Sequence, residues 1–207
     1  MSAFNLSTTV LMPTLYDLKP RFQARLRPLV ARLATAGVTA NQITIATGVA
    51  SVLLGGWLAV AHRGWFLLPN FLFARMALNA MDGILAREHG QATRLGAVLN
   101  EIIDAVSDAA LTLPFATMPG WNPLWAGAAI FFALLTEMAG LAAIVIGGAR
   151  RNDGPFGKSD RALALGVLGS WLALGWSVDA WVMVAAPAGW IALCCATVVQ
   201  RIRRALS

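Results

Sequence analysis

Six apolar runs, at about residues 41–61, 65–87, 95–118, 123–148, 160–177 and 179–199, follow one another with only short polar breaks. At 1.5 Å per residue, helices of that length match a hydrocarbon core of roughly 30 Å. Backbone in lipid must satisfy its own hydrogen bonds, and none of the runs alternates apolar with polar residues as a strand does. The expected fold is an all-α integral membrane protein, one domain over residues 1–207 with six transmembrane helices. Composition agrees. Hydrophobic residues are 58% and charged residues 13% of the 207, against roughly a quarter charged in soluble domains.

Ahead of the first run, Lys19, Arg21, Arg25, Arg27 and Arg32 interleave with Leu18, Phe22, Leu26, Leu29, Val30 and Leu33. Apolar residues at three- and four-residue steps predict an amphipathic interfacial helix over 17–36. The net charge of +6 sits beside apolar runs, which points to lipid headgroups or a phosphorylated substrate and not to nucleic acid. Basic residues crowd alternate loops (Arg87 and Arg94; Arg150, Arg151, Lys158 and Arg161; Arg201, Arg203 and Arg204). The positive-inside rule then puts both termini in the cytoplasm, across an inner (cytoplasmic) membrane. Trp65, Trp121 and Trp125 fall near the opposite ends and read as interfacial anchors. The adjacent Cys194 and Cys195 cannot bridge without strain and read as packing residues.

The runs are interrupted by a set of polar residues that lipid does not tolerate cheaply: Asn79, Asp82, Arg87, Asn100, Asp104 and Asp108. On the second helix Asn79, Asp82 and Ala86 share one face. On the third, Gly96, Asn100, Asp104 and Asp108 follow steps of four. Two antiparallel helices joined by a short loop bring those faces together as an oxygen-lined cleft near the cytoplasmic end. Oxygen ligands suit a hard cation such as Mg²⁺, which bridges to substrate phosphates. Gly83 and Gly96 permit close approach, and the forked Arg87 suits a phosphate.

In order, Asn79, Asp82-Gly83, Ala86-Arg87, Gly96, Asn100 and Asp104 resemble the signature of the CDP-alcohol phosphotransferases (CDP-alcohol phosphatidyltransferases), with Asn79 and Asn100 standing where that signature has aspartates. Asn41 and Thr44 in the Ala40-Asn41-Gln42-Ile43-Thr44 segment, and Gly157-Lys158-Ser159, look like two further family segments. The resemblance implies a homodimeric six-helix enzyme of phospholipid biosynthesis. It would transfer a substituted phosphate from a CDP-lipid donor such as CDP-diacylglycerol to an alcohol acceptor, releasing CMP.

Carried over residue by residue, the resemblance makes Asp82, Asp104, Asn79 and Asn100 metal ligands and Asp104 the general base. It assigns Asn41, Thr44, Asp82, Gly83, Ala86, Arg87 and Gly96 to the CDP donor. Arg151, Lys158, Ser159 and Arg161 suit an acceptor or its phosphate. In the family four carboxylates balance two divalent ions; two carboxylates balance one, so the expectation is one Mg²⁺ or Mn²⁺ per protomer. Arg75, Asp108 and Glu137 are expected at similar depth, roughly 16 to 20 Å from the cytoplasmic helix ends, as one buried ionic network that supports the fold. Two rival readings stay open: a family member that binds nucleotide or lipid without catalysis, and a small transporter.

Overall fold

The computed structural model describes the backbone of residues 15–207 and side chains from residue 21 onward. The described residues are helices and connecting loops. They form α1 (Leu15–Thr35), α2 (Ala40–Ala61), α3 (Leu67–Glu88), α4 (Arg94–Thr112), α5 (Pro114–Thr117), α6 (Pro123–Val145), α7 (Lys158–Ala173) and α8 (Ala180–Leu206). In the bundle, α2 packs on α3 and α4, α4 on α6, α6 on α8, and α3 on both α7 and α1.

Three helices, α2, α6 and α8, are long and apolar enough to cross a membrane by length and composition alone. The other three long helices after α1 are each interrupted by charges: Arg75, Asp82 and Arg87 on α3, Glu101, Asp104 and Asp108 on α4, and Lys158 and Arg161 on α7. Their outer faces still show large apolar side chains, among them Phe73, Met76, Val98, Ile102, Leu163 and Val167. Polar groups turn inward and the rim stays greasy, the pattern expected where lipid surrounds the bundle.

Local chemistry explains the helix ends. Thr39 caps α2 by accepting from the Gln42 amide at 3.2 Å, and Gln42 reciprocates by accepting from the Thr39 amide at 2.9 Å, a capping box. Thr93 caps α4 by accepting from the Gly96 amide at 2.9 Å. The 95–118 run is not one helix, because Pro114 lacks an N–H and ends α4 at Thr112 before the short α5. That proline leaves the Ala110 carbonyl without its usual partner, and the carbonyl lies against Gly55 of α2, where any Cβ would collide with it. At Gly48 a Cβ would meet Ile103 of α4. Small residues thus set how closely α2 and α4 approach.

Two other departures have physical causes. The fourth run ends at Val145, and the following loop folds back on α6, with the Arg151 amide donating to the Gly140 carbonyl at 3.1 Å. Trp65 is no interfacial anchor: it is buried beside Phe115, which in turn stacks near Trp121 at 5.9 Å between ring centroids. Its indole N–H donates to the His62 carbonyl at 3.2 Å. At the other end of the bundle, Val30 of α1 packs with Ile43, Met81, Ile84 and Leu85. Arg27 grips Glu88 there, Nε to Oε2 at 2.8 Å. That hydrogen bond holds the exposed Glu88 carboxyl, just past the apolar run, below its ordinary range.

Candidate active site

The site is assembled where α2, α3, α4 and the start of α7 converge. Thr44 of α2 donates its hydroxyl to Asp82 Oδ2 on α3 at 2.9 Å. One turn earlier on α3, Asn79 donates its amide to Asp104 Oδ1 on α4 at 3.0 Å. The faces that the three- and four-residue steps identified do meet, with Asp82 and Asp104 both buried. Asn100, half-buried, lies one turn before Asp104.

Gly96 and Asn41 close the cleft. A Cβ on Gly96 would come within 2.6 Å of Asn41 Oδ1, so the amide of α2 sits where only glycine leaves room on α4. The loop beyond α3 adds a contact that the motif does not contain. Gln91 accepts from the Ala40 amide at 2.7 Å and donates to the Val38 carbonyl at 3.3 Å, which ties the start of α2 to the turn between α3 and α4. The Arg87 guanidinium folds over Gly83, whose missing Cβ would be 2.9 Å from Nη2. Among the described residues neither Arg87 nor Arg94 forms a salt bridge, whereas Arg150, Lys158 and Arg161 all do.

Asp104 is held by more than the sequence motif. Arg75 Nη2 reaches Oδ1 at 3.1 Å and Lys158 Nζ reaches Oδ2 at 2.6 Å. Arg75 also grips Asp108 at 2.6 Å. Arg75 and Glu137 are not direct partners. Arg161 stands between them, 3.4 Å from Asp108 and 2.8 Å from Glu137, and it also donates to the Thr136 hydroxyl at 2.9 Å. Arg161, only 2% exposed, is therefore part of the buried network and not of the cleft's open rim. Arg150 bridges Glu101 and Glu137, the latter at 2.9 Å. Arg201 is buried as well, donating to the Thr136 and Asp153 carbonyls. Of the other loop residues, Arg151 donates to the Arg204 carbonyl, and Ser159 is exposed at the start of α7.

Sequence reasoning missed Arg150, Glu101 and Arg201 because nothing in spacing distinguishes a loop arginine at a cytoplasmic rim from one folded back into an acidic cluster. Lys158 was found, but not its attachment to Asp104.

The donor set also bears on metal. Asn79, Asp82, Asn100 and Asp104 offer two carboxylates and two amides, and no group of three or more His, Cys, Asp or Glu is gathered to hold an ion among the described residues. Both Asp104 oxygens already face cations or an amide N–H. Such a set suits a hard divalent ion that keeps several waters.

Comparison with known proteins identifies the family. The profile of the CDP-alcohol phosphatidyltransferase family matches residues 37–198. The chain is 50% identical over 163 residues to the inner membrane protein YnbA of Escherichia coli, covering 78% of this chain and 81% of that one. It is 34% identical over 113 residues to a phosphatidylinositol phosphate synthase of Mycobacteroides abscessus, covering 54% of this chain and 49% of the relative. The fold matches the crystal structure of Mycobacterium tuberculosis phosphatidylinositol phosphate synthase in complex with manganese and citrate, with a TM-score of 0.72 at 20% identity over 87% of this chain and 88% of that one. The same enzyme with CDP-DAG bound matches with a TM-score of 0.70 at 22% identity, over 87% and 92% of the two chains. A family match over residues 37–198, most of the chain, makes this protein a member of the CDP-alcohol phosphatidyltransferase family.

Proposed function

We propose that the protein transfers the phosphatidyl group of CDP-diacylglycerol to an alcohol, releasing CMP, from a cytoplasm-facing cleft in a six-span bundle of the inner membrane, and that it acts as a homodimer. The observation that carries this reading is the joining of α2, α3 and α4 through Thr44, Asp82, Asn79 and Asp104, with Arg87 beside it forming no salt bridge among the described residues. A forked guanidinium at the rim suits a diphosphate. Exposed apolar faces on α3 and α4 suit a donor with acyl chains.

The acceptor hydroxyl attacks the phosphatidyl phosphorus, and the bond from that phosphorus to the bridging oxygen breaks as CMP departs. Asp104 takes the hydroxyl proton. For that, Lys158 must leave Oδ2; its side chain is 29% exposed and can turn to the incoming phosphates, which outcompete a single carboxylate for an ammonium. Arg75, anchored by Asp108, keeps Asp104 in place throughout. Asn79, Asp82, Asn100 and Asp104 are the residues that would hold a divalent cation, and that ion would supply charge stabilisation to the donor's diphosphate and the departing CMP.

The grip of Arg75 and Lys158 on Asp104 also favours a second reading, a binding protein without turnover, since both carboxylate oxygens are already engaged. One assay separates them: CMP formed from CDP-diacylglycerol by the purified chain across a panel of acceptors, with and without Mg²⁺. Acceptor-dependent CMP release supports transfer. Saturable CDP-diacylglycerol binding with no CMP under any condition supports the second reading. Mn²⁺ counted by electron paramagnetic resonance is expected at one ion per protomer, and two tightly held ions would refute the charge argument.

A further inference from the structure

We infer that Gln91, in the connection between α3 and α4, is a positioning residue for the CDP donor. Its side-chain amide clamps the start of α2 and so holds Asn41 and Thr44 against the groups that α3 and α4 present. The inference rests on the transferase reading above and adds to it the group that assembles the donor end of the cleft.

The residues suited to the donor lie at three helix ends. Asn41 and Thr44 stand at the start of α2, Arg87 in the last turn of α3 and Gly96 in the first turn of α4. The fit between them is close. Asn41 Oδ1 lies 2.6 Å from where a Cβ on Gly96 would be, which leaves little room for α2 to slide along α4.

From Arg87 to Leu95 every residue is exposed except Gln91, which is half-buried. A polar side chain turned inward from a surface connection needs partners. Gln91 Oε1 accepts from the Ala40 amide at 2.7 Å, and Nε2 donates to the Val38 carbonyl at 3.3 Å. Thr39 between those two is extended, with φ −100° and ψ 153°. An extended residue turns the carbonyl before it and the amide after it to the same side, where a primary amide answers both. A carboxylate at position 91 would have no donor for Val38. An alkyl side chain would leave the Ala40 N–H, one of the free amides of a helix's first turn, without a partner.

Gln91 stands in the chain between Arg87 and Gly96, so one side chain ties α2 to the segment that carries both. Asp104 lies deeper along α4 and is held by Arg75, Asn79 and Lys158 instead. Loosening the first turn of α2 therefore weakens the hold on the donor and leaves the chemical step in place. Kinetically that is a raised KM with kcat kept.

The test measures CDP-diacylglycerol binding by calorimetry on the full-length protein in detergent, with KM and kcat from CMP release and the melting temperature of the same samples. Gln91→Met keeps the side chain's length and removes both hydrogen bonds. It is expected to weaken donor binding and raise the donor KM about tenfold, with kcat within about threefold of wild type. Gln91→Asn keeps the amide but is one methylene too short to reach both partners, and should lose as much. Adding Ala40→Pro to Gln91→Met should return donor affinity to within about threefold of wild type. Proline at the first helical position has no N–H to leave unpaired, fixes φ near the helical value and needs the extended residue before it that Thr39 already is. A glutamine with a merely structural role would lower the melting temperature and leave the donor KM alone. That result, wild-type affinity in a folded Gln91 variant, or a folded double variant that stays weak overturns the inference. If Gln91→Met does not fold, Gln91→Asn decides. A wild type that binds CDP-diacylglycerol but forms no CMP with any acceptor refutes the transferase reading, and the binding comparison still decides the role of Gln91. A wild type that does not bind CDP-diacylglycerol overturns both.

Discussion

At Asp104 three side chains from two other helices converge: Arg75 and Asn79 of α3 on one oxygen, Lys158 of α7 on the other. A carboxylate so placed can act as a base only when the substrate draws Lys158 away, so its loss should be felt in chemistry and not in binding. Asp104→Asn is expected to lower kcat by about 10²- to 10⁴-fold, the usual contribution of a general base. CDP-diacylglycerol affinity should change little, because Arg87, Thr44 and Asp82 remain. Turnover within about tenfold of wild type would assign the proton to another group or to water, since that corresponds to only ~1.4 kcal/mol. Neighbouring glycines offer a second contrast at this scale. A Cβ on Gly55 runs into the Ala110 backbone, while one on Gly56 meets nothing within 4 Å. Gly55→Ala should destabilise by about 1–3 kcal/mol through overpacking. Gly56→Ala should be neutral or stabilise by up to about 1 kcal/mol through helix propensity. Thermal melting in detergent reads both, and equal effects would mean that α2 and α4 are not in close contact at Gly55.

Between elements, the charges of α3, α4, α6 and α7 form a chain of pairs in which each acid is shared. Arg75 joins Asp104 and Asp108, and Arg161 joins Asp108 and Glu137. Removing one member of a buried pair leaves its partner charged and dry, at a cost of about 3–5 kcal/mol. Arg75→Leu should therefore lower the melting temperature sharply. Adding Asp108→Leu should recover much of the loss, whereas adding Glu137→Leu should deepen it, because Glu137 belongs to Arg150 and Arg161. Recovery by the Glu137 change instead would mean that these side chains pair differently. Because Asp104 is on the same chain of pairs, the Arg75 variants are expected to lose activity together with stability.

Across the whole molecule, the basic loops between α3 and α4 and between α6 and α7, and the end of α8, are expected on the cytoplasmic side, with the α5–α6 connection outside. A cysteine placed at Asn122, in protein whose Cys194 and Cys195 are changed to Ser, should react with an impermeant thiol reagent in intact cells. One at Asn152 should react only after the membrane is opened. The reverse pattern would invert the topology and put the cleft on the wrong side for a nucleotide donor.

Long apolar runs, the amphipathic prelude and the spaced Asp-Gly, Ala-Arg and Gly of the motif were legible in the chain itself, because they follow from hydropathy, helical period and local sterics. So was the meeting of Asn79 with Asp104, since two antiparallel helices joined by a short loop leave few other arrangements. The sequence did not disclose which cation answers which acid. Arg150, Lys158, Arg161 and Arg201 look alike as loop and helix-end basics, and only the fold separates them: the loop turns back along α6 at Gly140, and α7 and α8 pack so that Arg161 and Arg201 are buried. Nor did it disclose that Pro114 would free the Ala110 carbonyl to lie on Gly55 of another helix. Helix identity is set by interactions within a few turns, which a sequence records directly. Charge pairing and close approach depend on distances between segments, and those exist only once the helices have packed.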